Sequence, residues 1–132
     1  MTMHLAPELS EAQRRANEVA SCLHAYRYRF TSEAELQGAI EQALVAEGLR
    51  FAREVAAHGR DRYDFLVAGD VVIEVKTQGS LTSALSQCLR YAERADVAAV
   101  VLATSRFWAN SHAIPATLAE KPFICVRLRE AL

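Results

Sequence analysis

Two acids and a lysine lie close together near the middle of the chain. Asp64 opens one strand-like run of residues, and Glu74 and Lys76 close the next. Residues 71–75 are β-branched apart from Glu74, which predicts a buried strand. Glu74 and Lys76 are two residues apart, so their side chains leave the same face of that strand. A carboxylate and an ammonium are costly to bury unless they are paired, bound to a metal or functional, so this spacing predicts a chemical site.

The connection between the two runs decides whether the two acids can meet. Directly opposed residues of a hairpin lie on the same face of the sheet. A two-residue loop would pair Phe65 with Glu74, whereas a three-residue loop at 68–70 would place Asp64 opposite Glu74. Three-residue loops that contain glycine are common. A shared site therefore requires an odd loop or a bulge. A solvated strand edge or a cross-strand ion pair, the simpler explanation of Glu-x-Lys, does not.

The order and spacing of these residues resemble the PD-(D/E)xK nuclease superfamily. In this resemblance Tyr63 and Asp64 take the place of Pro-Asp, with tyrosine instead of proline, and Glu74, Val75 and Lys76 form Glu-x-Lys. The resemblance implies that Asp64 and Glu74 hold Mg²⁺ or Mn²⁺, with the Val75 carbonyl as a further ligand. It also implies that Lys76 orients or activates the attacking water.

A helix predicted before the hairpin supplies another acid. Its apolar stripe has helical spacing and consists of Leu36, Ile40 and Leu44, with Gly48 as a stop. Glu33 lies one turn before this stripe and Gln37 lies beside it. The pattern resembles the superfamily helix whose glutamate completes the metal site, which assigns Glu33 to metal binding and catalysis and Gln37 to substrate binding. Residues 32–35 also form a capping box, which explains Glu35 better than a catalytic role does.

A helix predicted after the hairpin, at 80–94, carries a second motif. Gln87 and Tyr91 are one helical turn apart and point the same way. Gln-x-x-x-Tyr after Glu-x-Lys resembles the motif of RecB-like nuclease domains, where the pair lies near the active site and contacts DNA. The resemblance assigns substrate binding to Gln87 and Tyr91, and we expect Arg53 on the preceding strand to contact phosphates. Glutamine and tyrosine at this spacing also suit an ordinary half-exposed helix face.

Length and composition favour one globular domain, at 132 residues with 52% hydrophobic and 23% charged residues. The net charge of -1 excludes a general nucleic-acid binder, so any contact must come from a local patch. The 3 cysteines, odd in number and in apolar contexts, argue against a disulfide framework, a zinc site and a four-cysteine iron–sulfur cluster. The start of the chain lacks signal-peptide features, and no apolar run is long enough to span a membrane, so we expect a cytoplasmic protein.

The predicted order of elements is α-α-β-β-β-α-β-(α)-β. Its centre, α-β-β-β-α-β, implies an α/β domain with a restriction-endonuclease-like core, in which helices flank a central mixed sheet. An extra N-terminal helix and a C-terminal strand complete it. We divide the chain into a helical extension at 1–30, a catalytic core at 31–104 and a C-terminal helix and strand at 105–132. The predicted helices span 8–24, 32–48, 80–94 and 116–120, and the predicted strands span 51–57, 61–68, 71–77, 96–104 and 122–128.

These patterns together predict a metal-dependent nuclease that hydrolyses phosphodiester bonds, in repair, recombination, phage biology or defence. The favoured substrate is DNA, and an RNA substrate is left open. A homodimer that packs through the helix at 8–24 is a further expectation. The alternative is a non-catalytic subunit with the same fold, which binds nucleic acid or protein and uses the acids only structurally. The chain contains no glycine-rich phosphate-binding motif, so nucleotide binding of the P-loop or Rossmann type has no support.

Overall fold

The computed structural model describes residues 9–131. Predictions for the first eight residues, including the start of the first helix at Glu8 and the missing signal peptide, lie outside this range. The helices are α1 (Glu11–Ala25), α2 (Glu33–Ala46) and α3 (Leu81–Ala92), with a short 3₁₀ helix at Phe107–Asn110. The strands are β1 (Arg27–Tyr28), β2 (Phe51–Ala56), β3 (Arg62–Val67), β4 (Val71–Lys76), β5 (Ala99–Thr104), β6 (Thr117–Leu118), β7 (Lys121–Arg127) and β8 (Arg129–Glu130).

Six of the strands form one mixed sheet in the order β2-β3-β4-β5-β7-β6. β2, β3 and β4 are antiparallel neighbours, whereas β4, β5 and β7 run parallel. Helix α3 makes the crossover from β4 to β5, as parallel neighbours require. β1 and β8 pair separately as a small parallel sheet. The protein is therefore of the α/β class with a mixed sheet, as the sequence predicts.

The helices cover both faces of the sheet. α1 and α2 pack on one face and α3 packs on the other, so the core consists of two clusters separated by the sheet. All six residues of β5 are buried, as expected for a central parallel strand covered on both sides. The chemistry-bearing residues of β4 are thus held between two layers of packed side chains.

Serine caps fix the start of each α-helix. Ser10, Ser32 and Ser80 each accept a hydrogen bond of 3.1 Å from the backbone N–H three residues later. Such caps stabilise a helix by about 1 kcal/mol each because they satisfy N–H groups that have no partner within the helix. The cap at Ser32 places Glu33 in the first turn of α2, and the cap at Ser80 sets the rotation of α3 and hence of Gln87.

The predicted helix at 116–120 is wrong. Thr117–Leu118 forms β6, which pairs with the start of β7 so that Leu118 lies opposite Lys121. The two residues between them, Ala119 and Glu120, have φ angles of 50° and 64°. Two consecutive left-handed residues make the tight turn that suits the twist of a hairpin. The residues Ala-Glu do not predict this turn, because such turns usually contain asparagine, aspartate or glycine.

Within residues 9–131, no helix is long and apolar enough to cross a membrane.

Candidate active site

The β3–β4 hairpin has the odd loop that a shared acid site requires. Phe65 pairs with Ile73 and Val67 pairs with Val71, which leaves a three-residue loop at 68–70. Continued by one residue, this register would set Asp64 opposite Glu74, but the regular pairing ends at Phe65 and Ile73. Ala68 and Gly69 take positive φ angles of 52° and 85°, which is how the chain turns in so few residues.

The Asp64 side chain replaces a backbone partner between the two strands. The regular pairing of β3 with β4 stops at Phe65, and the next N–H of β4 in need of a partner is that of Val75. Asp64 Oδ2 accepts a hydrogen bond of 2.7 Å from that N–H. Asp64 Oδ1 accepts a longer bond of 3.3 Å from Gln37 Nε2 on α2. The carboxylate is thus fixed beside the strand that carries Glu74 and Lys76.

A break in the alternation of β3 explains this position. Tyr63 and Phe65 are two residues apart, yet Tyr63 belongs to the cluster under α3 and Phe65 to the cluster under α1 and α2. Tyr63 packs edge to face on Tyr91, with ring centroids 5.0 Å apart. On the neighbouring strand Glu54 has a φ of 51°, which marks the same irregularity. Asp64 lies at the break, so it does not follow the normal in–out pattern of a strand.

Glu74 is buried and only partly satisfied. Its side chain is 3% exposed, and its Oε2 atom has no hydrogen-bond partner. The pKa of Glu74 is raised to about 9, chiefly by burial and also by the hydrogen bond with Asp64 and the charge of Asp64, whereas Lys76 and Tyr91 act in the opposite direction. Two carboxyl groups in contact in an apolar setting are destabilised as a pair of anions, and a cation between them would relieve that repulsion.

Lys76 ends β4 on the face that carries Glu74. Its side chain is half-buried, and its charge partly offsets the raised pKa of Glu74, which places the ammonium within electrostatic reach of the acid. Parallel pairing sets Lys76 beside Thr104, the last residue of β5. In open α/β sheets, ligands bind at the carboxyl ends of the parallel strands, and Lys76 occupies that edge.

Of the two acids at the start of α2, Glu35 lies at the helix cap, as the sequence predicts. Glu35 Oε2 accepts hydrogen bonds from the backbone N–H and the hydroxyl of Thr31, at 2.8 and 3.0 Å, so Glu35 is bonded at the cap. Glu33 instead reaches the residue after Lys76, where its Oε1 accepts bonds of 3.2 Å from Thr77 N–H and 3.4 Å from Thr77 Oγ1. Glu33 thus borders the site without joining Asp64 and Glu74.

A chain of polar side chains leads from α2 to Asp64. Glu41 Oε2 accepts a bond of 2.9 Å from Arg53 Nη1, and Gln37 Oε1 accepts one of 3.3 Å from Arg53 Nη2. Gln37 in turn donates to Asp64. The Arg53 guanidinium also lies 5.3 Å from the centroid of the Phe65 ring. Gln37 thus contacts Asp64 directly, and Arg53 contacts Gln37 and Glu41. The contacts of Gln37 with substrate and of Arg53 with phosphates stay predictions.

Tyr91 and Gln87 are adjacent, as their spacing predicts, but Tyr91 is fully buried. Gln87 Nε2 donates a hydrogen bond of 2.7 Å to the Tyr91 hydroxyl, which lies 3.5 Å from the carbonyl oxygen of Arg62. Burial raises the pKa of Tyr91, and the nearby Glu74 raises it further, so this hydroxyl is a neutral neighbour of the acid. Of the two side chains, only the half-buried Gln87 is accessible to a ligand.

Gln87 also lines a groove along α3. This groove has a volume of about 620 Å³ and is lined by Ser80, Thr82, Ser83, Ser86, Gln87 and Arg90. Hydroxyl, amide and guanidinium groups of this kind bind phosphate oxygens. The groove lies against the helix that covers Glu74, although the acids do not line it themselves.

Residues 9–131 contain no group of three or more histidine, cysteine, aspartate or glutamate side chains placed to hold a metal ion. The donor set around Asp64 is therefore two carboxylates and nearby backbone. Mg²⁺ is commonly bound by only one or two carboxylates while it keeps several waters and contacts substrate phosphates. The unpartnered oxygen of Glu74 and the second lone pairs of Asp64 fit such a cation.

Three supporting residues escaped the sequence analysis. Glu41 lies one helical turn after Gln37 on the same face of α2, so helical spacing could have found it. Tyr63 was noted only as a substitute for proline, but its ring buttresses Tyr91. Thr77 holds Glu33 through its N–H and hydroxyl, a contact between distant parts of the chain that leaves no local signal.

The chain matches no protein-family model, no curated protein and no solved structure.

Proposed function

We propose that this protein is a metal-dependent nuclease that hydrolyses phosphodiester bonds, most suitably in DNA, on a restriction-endonuclease-like core. One observation carries the proposal. Asp64 binds the N–H of Val75 and lies within hydrogen-bond reach of the buried Glu74, an oxygen of Glu74 lacks a partner, and Lys76 follows on the same face of β4. The order α2-β2-β3-β4-α3-β5 supports the finer fold assignment, since it matches the α-β-β-β-α-β core.

Asp64 and Glu74 would hold Mg²⁺ or Mn²⁺. The Val75 carbonyl is a suitable third oxygen, because the N–H of Val75 already points toward Asp64 and the two backbone groups of a strand residue face the same neighbouring strand. When bound, the cation supplies a Lewis acid that neutralises charge on the phosphate. An uncompensated carboxylate costs several kcal/mol to bury, which gives the pair a reason to bind a cation.

Lys76 acts on the water that attacks phosphorus. Its position at the end of β4, beside Glu74 and at the open carboxyl edge of the sheet, lets its amine hold that water and stabilise negative charge on the phosphate. Glu33 fixes the backbone just beyond Lys76 through Thr77. The lysine is thereby held between a buried strand and a hydrogen-bonded turn, which orients it for the reaction.

Gln37 and Arg53 act as positioning residues for Asp64. Gln37 donates to the carboxylate, and Arg53 orients the Gln37 amide while Glu41 holds the guanidinium. Partners of this kind orient metal ligands and tune their basicity. Tyr91 is likewise a positioning residue, because its hydroxyl accepts a hydrogen bond from Gln87 and so orients that side chain. Gln87 contacts the nucleic-acid strand at the groove along α3.

A substrate panel tests the proposal. Purified protein is incubated with labelled single-stranded DNA, duplex DNA, branched DNA and RNA, each with Mg²⁺, Mn²⁺ or EDTA. We expect cleavage with either cation, none in EDTA, and a preference for DNA. Cleavage that persists in EDTA or in a Glu74→Gln variant would come from another site or a contaminant. A folded protein that binds nucleic acid and cuts none of these substrates would overturn the proposal in favour of a binding subunit.

A further inference from the structure

Three side chains form a row along the carboxyl edge of the sheet. Lys76 on β4 pairs with Thr104 on β5, and Thr104 pairs with Arg127 on β7. Matching positions of neighbouring parallel strands send their side chains to the same face. Strands are about 4.8 Å apart, so Arg127 lies about 10 Å along the edge from Lys76. The exposed guanidinium of Arg127 is thus one step removed from the proposed site of hydrolysis.

An exposed aromatic ring lies at the same edge. Phe107 is 70% exposed, and the guanidinium of Arg106 lies 5.8 Å from the centroid of its ring. The segment is fixed on both sides. The backbone N–H of Arg106 donates a hydrogen bond of 3.0 Å to Thr104 Oγ1. The indole N–H of the buried Trp108 donates one of 3.1 Å to the carbonyl oxygen of Gly79.

This anchoring separates Phe107 from an ordinary exposed hydrophobic residue. Single apolar side chains on a surface are common and need no explanation. Trp108, however, ties the 3₁₀ helix to the turn that follows Lys76, so the ring is held beside the proposed active site. An exposed ring on an anchored segment, with a guanidinium beside it, is a combination on which nucleic-acid bases stack.

The charge around Arg127 suits a phosphate backbone. Beside it lies a cavity of about 370 Å³ lined by His24, Ser105, Asn110, Arg127, Leu128, Arg129 and Glu130. Glu130 is the one acid in this lining, against two arginines and a histidine. The arginines and polar side chains supply donors for phosphate oxygens. A chain with a net charge of -1 thus has a local basic site at the edge where a substrate would leave Lys76.

We propose that this edge binds a single nucleic-acid strand, with an unpaired base stacked on Phe107 and a backbone phosphate on Arg127. The inference rests on the proposed function and names its substrate class. A base inside a duplex is already stacked on its neighbours, whereas an unpaired base offers its face to Phe107. The strand then runs from Lys76, past Phe107, to Arg127.

Binding without cleavage tests this inference. Fluorescence anisotropy in EDTA compares a labelled single strand, the matching duplex and a single strand with abasic sites, over a range of salt concentrations. We expect Phe107→Ala to weaken binding of the single strand by about 5- to 150-fold, the range set by stacking of one base. We expect Phe107→Trp to retain binding, and the abasic strand to bind wild type as weakly as the normal strand binds Phe107→Ala.

Arg127→Ala should behave differently from Phe107→Ala. Loss of one phosphate contact lowers the salt dependence of single-strand binding by about 0.7 in the log–log slope, whereas loss of a stacked base leaves the slope unchanged. Val45→Ala and Arg14→Ala are matched controls, because both side chains are exposed on helices away from this edge, and neither should change affinity or slope.

The outcomes separate this inference from the proposed function. Single-strand binding that needs Phe107 and Arg127, in a protein that cuts nothing, leaves this binding site standing and removes the nuclease proposal. Metal-dependent cleavage that is unaffected by Phe107→Ala, or binding of duplex as tight as that of the single strand, overturns this inference and leaves the nuclease. Binding of neither nucleic acid by the folded protein overturns it too, and would point to a protein partner for this edge.

Discussion

Asp64 Oδ2 accepts a hydrogen bond of 2.7 Å from the backbone N–H of Val75, the residue between Glu74 and Lys76. A side chain of β3 thus takes the place of a backbone carbonyl as the hydrogen-bond partner of a β4 N–H. The same bond fixes the distance between the first acid and the Glu-x-Lys segment, so fold and proposed chemistry share one contact. Variants of Asp64 can separate the two roles.

We expect Asp64→Asn to be nearly as stable as wild type and Asp64→Ala to be less stable. The asparagine carbonyl can still accept from Val75, whereas alanine leaves a buried N–H without a partner, at a cost of about 1–3 kcal/mol. Both variants should lose metal-dependent cleavage, because both lose the charge. Urea unfolding in EDTA measures the first effect. Equal stability of the two variants would show that the Val75 bond contributes nothing to the fold.

Glu74→Gln should change how stability depends on pH. The pKa of Glu74 is near 9 in the folded protein, against an ordinary value of 4.5. Between these values the folded state holds a proton that the unfolded chain releases, so the stability from this group is complete below pH 4.5 and is lost as pH rises toward 9. In EDTA, wild type should therefore weaken from pH 6 to pH 8 relative to Glu74→Gln, by at most about 3 kcal/mol.

Denaturation midpoints at the two pH values provide the measurement, with the exposed Glu18→Gln as control. Mg²⁺ should restore stability to wild type at pH 8 and not to Glu74→Gln, because a ligand that binds only the folded state stabilises it. Parallel pH curves for wild type and Glu74→Gln would contradict the assignment of this titration to Glu74.

Lys76→Met should remove activity and spare the fold. Methionine keeps the length of the half-buried stem and loses the amine. We expect cleavage to fall by about 10²–10⁴-fold, the usual contribution of a group that handles a proton in the transition state. The urea midpoint should stay close to that of wild type. Lys121→Met is the comparison variant, since Lys121 bonds the carbonyl of Arg94 far along the chain from the acids. Similar losses in both variants would contradict a specific role for Lys76.

Gln37→Ala should weaken the response to the cation. Without its amide, Asp64 keeps its bond to Val75 and loses its second partner. Residues that orient metal ligands typically contribute about 10–100-fold to metal affinity or activity. The concentration of Mg²⁺ needed for half-maximal cleavage should rise accordingly. Gln42→Ala, on the exposed side of the same helix, is the matched control. An unchanged requirement for Mg²⁺ would contradict the role of Gln37 as a positioning residue for Asp64.

The sequence was sufficient for the hairpin and for the starts of α2 and α3 because those features depend on local rules. A three-residue loop containing Gly69 sets the β3–β4 register, and serine caps set the first turns of α2 and α3. α1, predicted from residue 8, begins only at Glu11. The capping role of Glu35 followed from its distance to Ser32. Each of these needs only residues close together in the chain.

Other features depend on contacts that no local pattern contains. The turn at Ala119 and Glu120 uses left-handed backbone without glycine or asparagine, so its sequence looked helical. The side-chain alternation of β3 breaks at Asp64 because Tyr63 packs on Tyr91, a residue of α3 that is distant in the sequence. Arg53 is charged and lies near the predicted site, which suggested a phosphate contact, and only the positions of Gln37 and Glu41 reveal its bonds.

The central claim is that Asp64 and Glu74 share one divalent cation. Crystals grown with Mn²⁺, with diffraction recorded at the manganese absorption edge, test it directly. The account predicts an anomalous peak within about 2.6 Å of a carboxylate oxygen from both residues, with Lys76 close by. A peak bound elsewhere, or none between the two acids at saturating Mn²⁺, would contradict it.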